Sequence, residues 1–100
     1  MDPNSKKILL VEDEDFIREL YVRQLTKAGF QVKSAVDGQT GLNLLKSEAF
    51  DLLLLDIMLP EGMNGFDVLE QMKKNPALEH IPVVIITNLD SERKVAMDIG

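Results

Sequence analysis

The chain has 100 residues, the size of one small domain, and its 45% apolar content favours a globular fold over disorder. Its formal charge of -6 disfavours direct nucleic acid binding, which needs a basic patch. No cysteine is present and His80 is the single histidine, so disulfides and thiolate metal sites are excluded and a multi-histidine site is disfavoured. The start lacks an apolar leader and no run approaches the roughly 20 residues of a membrane span. We therefore expect a soluble, cytoplasmic domain without membrane contact.

Short apolar runs alternate with stretches whose apolar residues recur at helical spacing. The runs predict strands over residues 6–11, 31–36, 51–56 and 82–87. The helical spacing predicts helices over residues 15–28, 39–47 and 66–74, and a last helix that starts near 90 and runs through 95–99. This alternation predicts an α/β fold, with a parallel sheet and helices on both faces. The second strand alternates polar and apolar residues, so we expect it at a sheet edge.

Polar residues follow three of the predicted strands. Glu12 and Asp13 follow the first strand, Asp56 closes the third, and Thr87 and Asn88 follow the fourth. Ligands of open parallel sheets bind at the carboxyl ends of the strands. If the first and third strands are neighbours, the three acids therefore converge at one edge of the sheet.

A simpler interpretation is that acids after a strand cap the next helix or lie in solvent, and we assign Glu14 and Asp15 to those roles. Asp56 does not fit it, because four leucines precede this residue and an apolar segment follows it. Two unit charges about 4 Å apart repel by roughly 4 kcal/mol at an effective dielectric of about 20. No lysine or arginine falls at a neighbouring strand end.

A divalent cation among the acids would relieve this repulsion. Oxygen ligands favour Mg²⁺, with Mn²⁺ as a substitute, and a backbone carbonyl from the loop after Asp56 could complete the ligand shell. Asp56 could then act as a nucleophile and form an acyl phosphate. Thr87 offers a hydroxyl that could hydrogen-bond a phosphoryl oxygen, although taken alone it reads as an ordinary strand residue.

Three segments, KILLVEDE, DLLLLDIMLPEGMNGFDVL and IPVVIITN, resemble the receiver domain of two-component response regulators in their order and spacing. The resemblance runs over nearly the whole chain, from Lys6 to Gly100. It implies a flavodoxin-like, doubly wound parallel sheet of order 2-1-3-4-5. It also implies that a histidine kinase or phosphotransfer protein phosphorylates Asp56, and that the phosphate shifts a two-state surface.

The resemblance also implies a role for each residue of the site. Asp13, Asp56 and the Met58 carbonyl would bind Mg²⁺, and Glu12 would act mostly through water. Thr87 would be the switch hydroxyl.

The sequence departs from the family pattern in three places. The loop after Asp56 has one residue more than the commonest form, and Asn88 stands where a small residue is usual, which would narrow access to the phosphate. The family continues with a fifth strand, which ends in a lysine and a proline, and with a fifth helix. We expect neither in residues 1–100, which would form a C-terminally incomplete receiver domain with sheet order 2-1-3-4.

These missing parts lead to two further expectations. Without the catalytic lysine, Mg²⁺ should still bind but phosphorylation should be impaired. Without the fifth strand, Val83–Ile86 would be an edge that is apolar on both faces, and we expect a homodimer or strand-exchanged oligomer through it.

Two other functional classes are alternatives to the signalling switch. A Mg²⁺-dependent hydrolase with an aspartate nucleophile usually has a second aspartate two residues later, where this chain has Met58. A pseudo-receiver, which would be a pure interaction module, does not require intact acids. The presence of Glu12, Asp13, Asp56 and Thr87 therefore argues against this alternative. We therefore expect no enzyme activity beyond the domain's own phosphoryl transfer and dephosphorylation.

Overall fold

The computed structural model describes residues 5–59 and 62–86. Four strands alternate with three helices over this part of the chain. The strands are β1 (Lys7–Val11), β2 (Gln31–Ala35), β3 (Leu52–Asp56) and β4 (Val83–Ile86). The helices are α1 (Asp15–Lys27), α2 (Gly38–Ser47) and α3 (Gly65–Lys73). The bounds of these seven elements lie within one residue of the predicted ones.

The four strands form one parallel sheet of order β2-β1-β3-β4, which confirms the predicted topology and the edge position of β2. In the register of β1 and β3, Val11 pairs with Leu55. The residues that follow them, Glu12 and Asp56, therefore lie level with each other at the carboxyl edge of the sheet. This register is what brings the acids of two strands together.

The two faces of the sheet are covered unequally. The face that carries α2 and α3 buries thirteen apolar side chains in one cluster. The face that carries α1 has three buried apolar side chains, and α1 itself has none. The three are Ile8, Leu10 and Leu54. Most of the hydrophobic stabilisation of the described residues thus comes from the α2 and α3 side.

The helix starts differ in how their backbone donors are satisfied. Asp37 caps α2 by accepting the Thr40 N–H at 2.7 Å, and Asn64 and Asp67 form a reciprocal capping box at the start of α3. The residue before α1 is Glu14, whose side chain makes no capping hydrogen bond. Of the two alternatives expected for Glu14 and Asp15, solvent exposure is therefore confirmed for both residues.

Among the described residues, β4 pairs with β3 alone. Its residues Val84 and Ile85 are 46% and 39% exposed, and they lie on opposite faces of the sheet. The predicted last helix, Thr87 and Asn88 lie outside the described residues. No helix in the described part of the chain is long and apolar enough to cross a membrane.

Candidate functional site

Three carboxylates meet at the carboxyl edge of the sheet, between β1 and β3. Glu12, Asp13 and Asp56 each offer an oxygen atom that lies within 4.8 Å of the others. Glu12 and Asp13 leave the end of β1, and Asp56 is the last residue of β3. We call these three residues the acidic cluster. The sequence predicted their convergence on the condition that the first and third strands are neighbours, and β1 does pair with β3.

Two members of the acidic cluster are buried. Glu12 and Asp56 are both fully inaccessible, and they are the buried charged residues among those that the structure describes. Asp13 is half-buried, so it forms the solvent side of the cluster. Carboxylates withdrawn from water in this way are costly unless a cation or a set of donors compensates them.

Glu12 is held in place by one backbone donor. Its Oε2 accepts the Glu14 N–H at 3.0 Å. Its Oε1 is buried and has no hydrogen-bond partner in the described part of the chain. Burial raises the pKa of Glu12 to about 7, the Glu14 hydrogen bond opposes this rise, and the charge of Asp56 and the adjacent Asp13 and Asp56 side chains add to it. A buried oxygen that lacks a donor is a position where a cation or a bound water would fit.

The loop after β3 fixes the orientation of the Asp56 carboxyl. Asp56 Oδ1 accepts the Met58 N–H at 2.9 Å. The Met58 side chain is 56% exposed, so the residue lies at the rim of the site. The role of the Met58 carbonyl as a metal ligand stays a prediction.

Gly65 allows α3 to begin close to Asp56, and the sequence reading did not single it out. A Cβ atom at this position would lie 2.6 Å from Ile57 Cα and 2.7 Å from the Asp56 carbonyl oxygen, both of which are backbone atoms. The Gly65 N–H instead donates to the Ile57 carbonyl at 3.2 Å. The signal that could have found it is the capping spacing of Asn64 and Asp67 around this glycine.

Gly38, the first residue of α2, makes a second close approach. A Cβ atom there would lie 2.5 Å from the Met63 carbonyl oxygen and 3.0 Å from a Val68 methyl group. The loop between β3 and α3 therefore lies against the start of α2 without an intervening side chain.

A cation that the strand ends did not reveal lies close to the acidic cluster. Arg18, from the first turns of α1, donates hydrogen bonds to the carbonyl oxygens of Glu12 and Asp13. A compensating lysine or arginine was expected only at a strand end, whereas the long Arg18 side chain reaches back from the next helix. These two bonds go to backbone carbonyl oxygens of the acidic cluster.

The donor set of the acidic cluster suits Mg²⁺. All of its side-chain ligands are oxygens, two of its carboxylates are buried, and one oxygen lacks a donor. Hard divalent cations take such ligands and keep several waters, for which the half-buried Asp13 side leaves access. No other group of three acids or histidines in the described residues has this spacing.

Comparison with known proteins agrees with this arrangement. The family model described as the response regulator receiver domain matches residues 8–100. The response regulator PleD of Caulobacter vibrioides is 42% identical over 86 residues, which is 86% of this chain and 19% of PleD. The uncharacterized transcriptional regulatory protein YcbL of Bacillus subtilis is 39% identical over 92% of this chain and 39% of its own length. Across such curated relatives the chain spans between 19% and 44% of their length.

Solved structures show the same fold. The N-terminal domain of a response regulator receiver protein from Methanoculleus marisnigri JR1 has a TM-score of 0.78 and 28% identity, over 94% of this chain and 93% of that one. The chemotaxis response regulator CheY4 of Vibrio cholerae has a TM-score of 0.80 and 27% identity, over 91% of this chain and 75% of that one. Sequence, topology and acidic cluster thus agree, and the chain belongs to the family of response regulator receiver domains.

Proposed function

We propose that the chain is a phosphorylation-dependent switch in which Asp56 accepts a phosphoryl group from a phosphohistidine of a histidine kinase or phosphotransfer protein. The observation that carries the proposal is the placement of the buried Asp56 carboxyl at a strand end, within 4.8 Å of two further carboxylates. Such a cluster is repulsive by itself and becomes favourable when a divalent cation joins it. Phosphoryl transfer is chemistry that uses that combination of charges.

In the proposed reaction, the phosphoryl group is transferred to a carboxylate oxygen of Asp56. A carboxylate oxygen attacks the phosphorus, an O–P bond forms, the P–N bond of the phosphohistidine breaks, and the electron pair stays on the imidazole nitrogen. The product is an acyl phosphate. The hydrogen bond from the Met58 N–H to Oδ1 holds the carboxyl group in one orientation during the attack.

The proposed metal ligands are Asp13, Asp56 and the Met58 carbonyl, with Glu12 acting mostly through water. Mg²⁺, or Mn²⁺ in its place, would supply positive charge where the phosphoryl oxygens and the carboxylates come together. Asp13 supports this role through its half-buried position at the solvent side. From the family resemblance we propose Thr87 as the switch hydroxyl and Asn88 as a phosphate-binding residue.

The output of the switch is proposed only at the level of its class. Relatives named transcriptional regulatory proteins are longer than this chain, which suggests that a receiver module controls a separate activity. We propose that the domain signals to such a partner, acts as an enzyme only on its own phosphoryl group and does not itself bind nucleic acid. A cytoplasmic location, as predicted from the sequence, stays part of this proposal.

A narrower proposal concerns the exposed edge of the sheet. The 100-residue chain self-associates at high concentration through β4, where Val84 and Ile85 are exposed and β4 has one strand neighbour in the described part of the chain. Light scattering over a concentration series tests this, with Val84→Lys as the variant that should remain monomeric; a wild-type chain that stays monomeric throughout would contradict it.

The phosphorylation proposal is tested with acetyl phosphate and Mg²⁺, followed by mass spectrometry of the intact chain. We expect Mg²⁺-dependent addition of one phosphoryl group, which Asp56→Asn abolishes and which hydroxylamine removes, as for an acyl phosphate. The matched control is Asp51→Asn, which changes an exposed acid at the opposite end of β3 and should be modified like the wild type. Equal modification of the Asp56→Asn variant would contradict the proposal, and a chain that binds no Mg²⁺ and takes no phosphoryl group would favour the pure interaction module.

A further inference from the structure

Arg18 connects α1 to the loop that carries two acids of the cluster. Its Nη1 donates to the Glu12 carbonyl oxygen at 3.1 Å and to the Asp13 carbonyl oxygen at 3.3 Å. Its Nη2 donates to Asp15 Oδ1 at 2.5 Å. The Arg18 side chain is 17% exposed, whereas that of Asp15 is 85% exposed. One guanidinium group therefore joins Glu12 and Asp13, which follow β1, to the first residue of α1.

The carbonyls that Arg18 binds lie between the strand and the helix, where the Glu12 N–H still donates to the Ala35 carbonyl oxygen of β2 at 3.1 Å. Glu12 follows the last residue of β1, and Asp13 lies two residues before Asp15, the first residue of α1. The start of α1 has no side-chain cap that would hold the loop from the helix side. Arg18 supplies donors at this gap, and buried or half-buried carbonyls need such donors.

We propose that Arg18 is a positioning residue for the acidic cluster: it fixes the backbone of Glu12 and Asp13 so that the Asp13 carboxylate faces Asp56 and can bind Mg²⁺. This inference rests on the proposed function, since it assigns Arg18 a role in the same site. Arg18 acts through the backbone of the metal ligands and does not itself touch the metal or the phosphoryl group.

The geometry of the guanidinium, in addition to its charge, is needed for this role. A planar fork can serve the two carbonyls with one nitrogen and Asp15 with another, whereas a lysine ammonium is a point charge on a flexible stem. The pair with Asp15 contributes little because that carboxylate is exposed. The two hydrogen bonds to carbonyls are therefore the contacts that should affect metal binding.

The test compares four variants of the 100-residue chain by calorimetric titration with Mg²⁺. Arg18→Met keeps much of the stem and removes the donors, Arg18→Lys keeps the charge, and Asp15→Asn removes the exposed ion pair. Arg23→Met is the matched control, because Arg23 is exposed on the same helix and donates no hydrogen bond to the described residues. Urea unfolding of each variant without metal measures any change in stability separately.

We expect Arg18→Met to weaken Mg²⁺ binding about 10-fold, the lower end for the loss of an outer-shell partner. Arg18→Lys should recover only part of this loss, and the Asp15 and Arg23 variants should bind as the wild type does. In metal-free protein, the amide NMR signals of Glu12 to Glu14 should shift in Arg18→Met and should not shift in Arg23→Met. These signals report the loop position without any metal or phosphoryl transfer.

Three results would overturn the proposal. Wild-type affinity in Arg18→Lys would show that charge alone suffices, and wild-type affinity in Arg18→Met would show that Arg18 is not needed. A loss in Asp15→Asn as large as that in Arg18→Met would move the role to the ion pair. If Arg18→Met does not fold, the Mg²⁺ affinities of Arg18→Lys and Asp15→Asn still decide whether Arg18 positions the cluster. If the wild type binds no Mg²⁺, the proposed function fails, and the amide signals still test whether Arg18 holds the loop.

Discussion

The two ends of the sheet place a glutamate in opposite electrostatic surroundings. At the amino end, Glu48 accepts hydrogen bonds from Lys7 Nζ at 2.5 Å and from Lys33 Nζ at 3.0 Å. The hydrogen bonds from Lys7 and Lys33 hold the pKa of Glu48 below its usual value. At the carboxyl end, Glu12 is buried beside two other carboxylates, and its pKa is raised to about 7.

The difference separates an end whose charge is balanced by described lysines from an end where three described carboxylates lie close together. Lys7 also lies 4.9 Å from the centre of the Phe50 ring, so the amino end joins charge pairing to an aromatic contact. The carboxyl end has more negative charge than the described residues compensate. The amino end therefore needs no ligand, whereas the carboxyl end would be stabilised by a bound cation.

The largest expected effect comes from supplying that cation. At about 100 times its dissociation constant, Mg²⁺ should raise the free energy of unfolding by about 2.7 kcal/mol, because it binds the folded chain alone. Urea unfolding with and without Mg²⁺ measures this effect. Asp13→Asn should remove most of it and Glu48→Gln should keep it; an equal response of the Asp13 variant would place the bound cation elsewhere.

Removing one negative charge from the acidic cluster should have the next largest effect. In metal-free protein at about pH 8, Glu12→Gln should raise the free energy of unfolding by about 2 kcal/mol, since the buried carboxylate no longer has to ionise. The glutamine oxygen can still accept the Glu14 N–H. A Glu12→Gln variant that is less stable than the wild type under these conditions would show that the cluster is compensated without metal.

The pH dependence of the metal-free chain should follow from the same residue. The pKa of Glu12 is about 7 when folded and near 4.5 when unfolded, so the folded state binds more protons between these values. Stability should therefore fall as the pH rises through this window, by about 1 kcal/mol from pH 6 to pH 8. Unfolding curves at several pH values measure the slope, which Glu12→Gln should flatten.

This window is separate from that of the balanced carboxylates. The pKa values of Glu48 and Asp37 are lowered by their hydrogen bonds, so their contribution to stability is present above their unfolded pKa values and is lost only as the pH falls into the acid range. A wild-type slope of the opposite sign between pH 6 and pH 8 would contradict the assignment to Glu12.

The smallest effect is expected at the amino end. Glu48→Gln should lower stability slightly, and the difference from the wild type should shrink in about 1 M salt, where the Debye length is about 3 Å. Unfolding curves at low and high salt test this. Lys46→Gln, which changes an exposed charge on α2, is the control that should show neither effect. A salt-independent loss would assign the role of Glu48 to packing instead.

The sequence predicted the sheet and the acidic cluster because both depend on simple patterns. Uniformly apolar runs marked β1, β3 and β4, and strand order placed Glu12 and Asp56 at the same edge. Element bounds differ by a residue at several ends because they depend on backbone hydrogen bonds, which side-chain polarity reports only indirectly.

Contacts that depend on reach or close approach could not be predicted in this way. Arg18 bonds to carbonyls five and six residues earlier, and no periodicity encodes where a long side chain folds back. Gly65 is needed because backbone atoms crowd its α-carbon, a distance that only the folded chain defines. Thr87 and Asn88, outside the described residues, keep the roles that the family resemblance predicts.

The close approach at Gly38 also limits how the backbone at Met63 can move. The loop presents the Met63 carbonyl to the first residue of α2, and no side chain stands between them that could rotate aside. Because these two backbone segments are in contact, Met63 can move away from α2, whereas a movement toward α2 would have to shift the helix as well. A side chain at position 38 would have to displace the Met63 carbonyl or α2, so this glycine lets the two backbone segments rest in direct contact.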